Sequence, residues 1–280
     1  MIGTLYLCAT PIGNLEDMTF RAVRILKEVD LIAAEDTRNS MRLLHHFDIH
    51  TKITSYHEYN KFSKGEKLVE MLRGGLDVAL ITDAGTPGIS DPGEVLVKMC
   101  MDEGIRVTSL PGACACISGL ILSGLPTGRF CFEAFLSREK KEREKVLAEL
   151  KDETRTIVLY EAPHHLKGTL SDIYKALGDR ETAICRELTK KHEECRKMLL
   201  SEWIRYYEET EPRGEYVLIL AGRDRKELEQ EQQDAWKTLT VEEHMKYYLD
   251  RDLNEKEAMK AVAKDRGVSR REIYRIWKDI

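Results

Sequence analysis

Long apolar runs are the first thing this 280-residue chain lacks. A membrane-crossing helix needs about 18 or more consecutive apolar residues. The longest stretch here, Ile117–Leu125, is interrupted by Ser118, Gly119, Ser123 and Gly124, so no membrane span is expected. No basic leader segment opens the chain, which predicts no signal peptide and a cytoplasmic location. Cysteine is too scarce, and odd in number at seven, to suggest a disulfide framework, so reduced thiols are expected. Cys114 and Cys116 form a C-x-C with no second cluster, and no H-E-x-x-H occurs; no metal site is expected. Neither G-x-G-x-x-G nor G-x-x-x-x-G-K-[ST] is present, which removes the usual phosphate cradles of oxidoreductases and P-loop enzymes. A net charge of -5 excludes a uniformly basic nucleic-acid coat.

Against these absences stands a composition of 42% hydrophobic and 33% charged residues, suited to about two packed domains. Short apolar strands alternate with helical patterns from the start. Gly3–Thr10, Leu31–Ala34, Lys52–Tyr56, Asp77–Thr82 and Arg106–Leu110 read as strands, with helices over Thr19–Glu28 and Ser63–Arg73. Asp91 is expected to cap a helix with Pro92 at its first position, and Pro111-Gly112-Ala113 to open another that ends near Gly124. This βαβ repetition predicts a parallel sheet. Leu125–Gly128 reads as a linker. Beyond it, strands at Phe130–Leu136, Thr156–Tyr160, Thr182–Glu187 and Glu215–Ala221 alternate with helices at Arg138–Leu150, His164–Ala176 and Leu199–Glu209. The expected organisation is therefore α/β: two α/β domains over 1–125 and 129–222, followed by a helical tail over 223–280.

In the tail, residues 223–238 read as a hinge or an exposed helix. Thr240 with Glu243 forms a capping-box pattern, Asn254 caps Glu255–Asp265, and Gly267-Val268-Ser269 turns into a last helix, Arg270–Lys278. This resembles a helix-turn-helix unit. Residues 254–280 hold eight Lys/Arg against five Asp/Glu, so Arg270, Arg271 and Arg275, with Lys260, Lys264 and Arg266, are candidate phosphate contacts. A small solvated helical cap is the other reading.

Chemistry is expected where strands end. Asp83-Ala-Gly-Thr-Pro-Gly-Ile-Ser-Asp-Pro-Gly93 places three glycines and two prolines after an apolar strand. Main chain that is both approachable and stiff suits a ligand, and open α/β sheets bind ligands at the carboxyl ends of their strands. Pro11–Asn14, Glu35–Arg38 and Pro111–Ala115 occupy equivalent positions, and four such loops suggest one concave site. Asp36 could equally be favoured there by a helix N-terminus. Tyr160–His165 and Arg186–Lys190 end strands of the second half, and either His164 or His165 could act as a base. Tyr56, His57 and Tyr59 could stack on bases or simply pack.

Several of these segments carry a resemblance. TPIGNLED (Thr10–Asp17), AAEDTR (Ala33–Arg38), SYHEYN (Ser55–Asn60), ITDAGTPGISDPG (Ile81–Gly93), LPGACA (Leu110–Ala115), RELTKKHEE (Arg186–Glu194) and RGEYVLILAG (Arg213–Gly222) are similar to one family throughout. The chain resembles the small-subunit (16S) ribosomal RNA 2′-O-ribose methyltransferase I family of the tetrapyrrole (corrin/porphyrin) methylase superfamily. That resemblance implies S-adenosylmethionine folded into a cleft between two α/β domains. It implies cofactor contacts from Pro11, the loop holding Asp83, Gly85, Thr86, Pro87 and Ile89, and the Cys114-Ala115 turn, with Pro111 and Gly112 in the same loop. Glu161 to Leu166 and the Gly214 region would close the cleft. It also implies a cytidine ribose in the decoding region of small-subunit RNA, free or in the assembled subunit, as substrate, and a homodimer. Asp36 and Glu35 are the first candidates to hold or deprotonate the ribose hydroxyl; Glu161 and His164 come second. Arg38, Arg186 and Lys190 are candidate phosphate grips, and Tyr56 and His57 candidate base platforms. Two departures stand out: Ala134-Phe135-Leu136-Ser137 where the family tends to Gly-Phe-Leu-Pro, and Glu161-Ala162-Pro163-His164-His165 where it tends to Glu-Ser-Pro-His-Arg. The remaining alternatives are C-methylation of a tetrapyrrole precursor and non-catalytic, S-adenosylmethionine-gated RNA binding.

Overall fold

The computed structural model describes residues 2–278, which form two compact units. The first comprises residues up to Leu150 together with Arg155–Ala221. Its first half runs β1 (Thr4–Cys8), α1 (Phe20–Glu28), β2 (Leu31–Ala34), α2 (Thr37–His46), β3 (Ile53–Ser55), α3 (Lys61–Arg73), β4 (Val78–Ile81), α4 (Gly93–Asp102), β5 (Arg106–Leu110) and α5 (Ala115–Leu122). The five strands form one parallel sheet in the order β3-β2-β4-β1-β5. Every residue of β2 and β4 is buried, as expected when helices cover both faces of a parallel sheet. All five carboxyl ends therefore emerge on one edge.

The second half runs β6 (Phe130–Phe135), α6 (Lys140–Glu149), β7 (Thr156–Glu161), α7 (Pro163–Leu177), β8 (Glu181–Arg186), β9 (Glu194–Leu199), α8 (Leu200–Glu209) and β10 (Tyr216–Leu220). Its sheet is mixed, in the order β6-β7-β10-β8-β9. β10 is antiparallel to both β7 and β8, with Tyr216 opposite Glu161 and Arg186. The start of β10 thus lies beside the ends of β7 and β8.

The two halves share an apolar cluster rather than standing apart. Ile12, Cys116, Leu120 and Leu125 pack with Val158, Ala183, Cys185, Val217 and Ile219. Helix α5 reaches β10 closely because Gly119 has no side chain: a Cβ there would lie 3.0 Å from Val217 Cγ1. The amide of Cys116 also donates to the Tyr160 hydroxyl at 3.0 Å.

Several expectations are corrected. α2 is missing from the expected helices, but the helix N-terminus weighed for Asp36 is what stands there: its side chain caps α2, accepting from Arg38 N at 2.8 Å. β9 pairs as an edge strand where none is expected; its charged residues face solvent, so its pattern is weak. Asp91 lies one residue before the cap of α4 and accepts from Gly93 N, and α5 opens at Ala115 rather than at Pro111. Tyr56 is no exposed platform. It is buried, and its hydroxyl donates to Pro92 O at 3.0 Å.

The second unit, Lys151–Thr154 with Gly222–Ile280, holds α9 (Arg225–Lys237), α10 (Val241–Leu249), α11 (Glu255–Asp265) and α12 (Arg270–Lys278). Thr240/Glu243 and Asn254/Glu257 form reciprocal capping boxes. Met245, Ala258, Met259, Val262, Ala263 and Ile273 make its core. Arg266 serves this fold, donating to His244 Nδ1 and to the carbonyls of Leu239 and Thr240, instead of joining a free basic face. Arg270, Arg271 and Arg275 are exposed on α12. Among the described residues, no helix is long and apolar enough to cross a membrane.

Ala134 adopts φ 50, in the left-handed region that favours glycine. Ala134→Gly is expected to stabilise the chain by about 1 kcal/mol. The measurement is a urea midpoint at constant slope; a lower midpoint would show that no strain resides there.

Candidate functional site

The loops after β1, β2, β4 and β5 are bonded to each other. Thr10 and Gly85 exchange main-chain hydrogen bonds, N to O at 2.9 Å and 3.0 Å. Thr10 Oγ1 donates to Thr82 O at 3.2 Å, Asp36 N to Asp83 Oδ1 at 3.3 Å, and Thr86 Oγ1 to Ala113 O at 2.9 Å. Within the long loop, Asp91 accepts from Gly88 N, Ile89 N and Gly93 N. Gly85, at φ +83, permits the turn that brings this loop against Thr10.

These loops and the neighbouring strand ends of the second sheet enclose a pocket of about 390 Å³. This is within the usual range for a small-molecule site. From the first half it is lined by Ile12, Glu35, Thr82–Thr86, Ile89–Asp91 and Cys114-Ala115. From the second come Phe135, Tyr160–Pro163, Leu188 and Glu215–Val217. Of the expected residues, Asp83, Gly85, Thr86, Ile89, Cys114, Ala115, Glu35 and Glu161 meet here. Pro11, Pro87, Pro111 and Gly112 lie in the same loops but not on the wall. Leu166 is fully buried in the core under the second sheet, and Gly214 lies against Glu187, where a Cβ would come within 2.5 Å of its Oε1. His164 is exposed, away from the wall.

Sequence reading misses Ile12, Phe135, Leu188 and Tyr216-Val217. Ile12 and Leu188 sit inside the family motifs as apolar residues with no chemistry to single them out. Tyr216 and Val217 face the pocket only because β10 runs antiparallel between β7 and β8.

Five carboxylates line the pocket, from Glu35, Asp83, Asp91, Glu161 and Glu215, and among the described residues no Lys, Arg or His does. Asp91 and Asp83 are engaged by the amides above. Glu161 accepts from Ala162 N at 2.7 Å and from the Thr169 hydroxyl, so its carboxylate secures the start of α7. Glu215 pairs with Lys190 at 2.7 Å, and Lys190 also bonds Glu187 at 3.0 Å. Burial opposes the Lys190 charge, but the two carboxylates outweigh it and raise its pKa. Lys190 is thus neutralised rather than a free cation. Arg186 lies 3.6 Å from Glu194, and His57 is held by Asn60 through its own amide at 2.8 Å.

Neighbouring acids Glu35 and Asp36 are driven in opposite directions. Hydrogen bonds from Arg38 hold the Asp36 carboxyl down to about 2. Burial, reinforced by the Asp83 charge, raises Glu35. Asp36 spends both oxygens on Arg38, whereas Glu35 faces the pocket. Cys114, at the start of α5, is lowered to about 6 by its contact with Cys116, Sγ to Sγ 3.4 Å.

An acidic pocket with aliphatic and aromatic walls and stiff main chain can take a compact, positively charged ligand such as a sulfonium amino acid. Comparison with known proteins agrees. Residues 4–204 match the family of Tetrapyrrole (Corrin/Porphyrin) Methylases. The chain belongs to this family of methyltransferases, whose methyl donor is S-adenosylmethionine. Within it, the chain is 50% identical to the Ribosomal RNA small subunit methyltransferase I of Bacillus subtilis, over 98% of this chain and 93% of the relative. It is 44% identical to the protein of the same name from Synechocystis sp., over 98% and 97%. Among solved structures, diphthine synthase matches with TM-score 0.61 at 12% identity, covering 79% of this chain and 90% of that one. Uroporphyrin-III-C-methyltransferase from Thermus thermophilus matches with TM-score 0.55 at 18% identity, covering 78% and 94%. These two show the fold alone.

Gly85→Ala forces a side chain into the left-handed region 3.4 Å from Ile12 Cγ2. S-adenosylmethionine binding measured by calorimetry is expected to weaken about tenfold or more while the far-UV spectrum is kept, since about 1–2 kcal/mol of backbone strain falls on the pocket wall. Unchanged affinity would remove this loop from the donor site.

Proposed function

We propose that this chain methylates the 2′-hydroxyl of a cytidine ribose in the decoding region of small-subunit ribosomal RNA. The observation that carries the reading is its 50% and 44% identity, over 98% of the chain, to relatives named as small-subunit ribosomal RNA methyltransferases. The tail and the pocket support it against the other readings. A tetrapyrrole precursor would have no use for the exposed Arg270, Arg271 and Arg275 of the tail, which suit a phosphate backbone. Non-catalytic RNA binding leaves the half-buried, pocket-facing Glu35 without a task.

When bound, S-adenosylmethionine supplies the methyl group and carries the leaving thioether. Ile12, the Thr82–Ile89 loop, Cys114-Ala115, Leu188 and Val217 are the residues that would hold it. Their stiffness serves alignment, which in a displacement reaction can supply about 7–11 kcal/mol of the barrier. The ribose hydroxyl is a weak acid, and Glu35 accepts its proton at a carboxylate oxygen. Asp36, held low by Arg38, keeps α2 and the loop in place. The exposed arginines of α12, Arg270, Arg271 and Arg275, contact phosphates, which orient RNA without reading sequence. The exposed Ile117, Ile121 and Leu122 of α5 suit a homodimer contact, and the enzyme works in the cytoplasm on RNA, free or in the assembled subunit.

The test is mass spectrometry of small-subunit RNA from cells with and without the gene, complemented by parent or Glu35→Gln. The parent restores a ribose-methylated cytidine. Glu35→Gln is expected to keep donor binding and lose about 10²–10⁴-fold of transfer. Full transfer would exclude Glu35 as the base, and no gene-dependent ribose methylation would overturn the reading. A second readout is thermodynamic. Burial raises the Glu35 pKa above its ordinary 4.5, so the stability of its neutral form is present below that value and lost as pH rises through the folded pKa. Glu35→Gln is therefore expected to be more stable than the parent at pH 7, with the difference vanishing below pH 4.5.

Replacing Arg270, Arg271 and Arg275 by Gln is expected to weaken RNA affinity and flatten its salt dependence. On single-stranded RNA the slope should fall by about 0.7 for each phosphate that the tail no longer neutralises. A salt series that superimposes on the parent's would remove the tail from RNA binding.

A further inference from the structure

Strand β6 contains one residue too many. Phe132 lies opposite Val158 and Phe135 opposite Tyr160, so three steps on β6 match two on β7. The extra residue is accommodated where Ala134 turns to φ 50. In a regular strand, side chains alternate between faces, and residues 132 and 135 would point oppositely. The bulge puts both on one face, where both rings meet Tyr160, at centroid distances of 5.0 Å and 5.5 Å. Bulges re-aim side chains in this way and favour edge strands near active sites. Here the re-aimed side chain, Phe135, lines the pocket while 55% of it remains exposed.

A half-exposed phenyl ring at a pocket mouth has no packing reason to be held by strained backbone. It is braced by Tyr160, which is itself fixed by the amide of Cys116. The inner wall for the donor is different in kind: Ile12, Leu188 and Val217 are aliphatic and buried. We propose that Phe135 is the stacking platform for the base of the nucleotide whose ribose is methylated. This rests on the RNA reading above and adds to it a specific substrate contact. Stacking suits a target taken out of single-stranded RNA, because unstacked bases are commonly received on aromatic rings. The base is joined to the ribose that Glu35 serves, so the base occupies the mouth while the hydroxyl faces inward.

The experiment compares parent, Phe135→Ala, Phe135→Tyr and Ala134→Gly. It measures Kd for a fluorescently labelled, cytidine-containing single-stranded RNA by anisotropy, Kd for S-adenosylmethionine by calorimetry, and KM and kcat on small subunits from cells lacking the gene. One stacked base corresponds to about 5- to 150-fold in affinity. Phe135→Ala is expected to raise the RNA Kd and the KM for subunits within that range. Its donor Kd should stay within twofold and its kcat at saturation within about threefold. Phe135→Tyr should restore both RNA values, and Ala134→Gly, which keeps the ring, should resemble the parent.

Unchanged RNA affinity in Phe135→Ala overturns the proposal. So does a weakened donor Kd, which would place adenine on the ring, or a loss that tracks dissociation of the chain in light scattering, which would make Phe135 an interface residue. If the parent binds the RNA but transfers no methyl to ribose, the functional reading fails while the affinity ratio still decides Phe135. If the parent binds no RNA, both fail.

Discussion

The site depends on hydrogen bonds that join one strand-end loop to the next. Thr10 and Gly85 pair as a two-residue bridge, Asp83 receives the Asp36 amide, and Thr86 is tied to Ala113. Loops free at both sides would each lose conformational entropy on binding a ligand, about 1–2 kcal/mol per residue ordered. Here that loss is taken at folding. The cross-links need parallel strands whose ends share an edge, a glycine at position 85, and an aspartate at 91 that holds three amides of the same loop. Remove this bonded rim and neither the pocket nor the placement of Glu35 is defined.

Charge within the rim is distributed with similar economy. Four of the five wall carboxylates hold amide, hydroxyl or ammonium partners and so fix the loops and strand ends around them. Glu35 differs. Its carboxylate also takes a bond from the Asp83 main chain, but burial and the nearby Asp83 charge outweigh that bond and raise its pKa. Asp36, one residue on, has the opposite environment and a structural task. Two adjacent acids in one motif thus separate into a pocket-facing group with a raised pKa and a helix cap.

The second sheet completes the site by direction of travel. Because β10 runs against β7 and β8, its first residues lie at their last ones, and because β6 runs with β7, its end arrives there too. The extra residue in β6 then decides which aromatic faces the opening. Helix α5, seated closely on β10 at Gly119, keeps this second wall in register with the first.

The alternation of short apolar strands and helices, the glycine- and proline-rich loop after β4, and the tail's capping boxes were legible in the residues. Each is a local rule: period, turn chemistry, cap. The family motifs likewise marked most of the first-half wall. What local rules miss is whatever depends on partners distant in the chain. β9 is a strand because β8 offers it an edge. Tyr56, polar-tipped and placed in a loop-like motif, is buried in the cluster of Leu68, Leu72 and Leu96, with its hydroxyl bonded to Pro92 O. Glu35 and Asp36 are indistinguishable in sequence, and only the surroundings, solvent-poor for one and Arg38 for the other, set them apart. The orientation of Phe135 depends on a one-residue slip between two strands, a matter of pairing that composition and spacing do not encode.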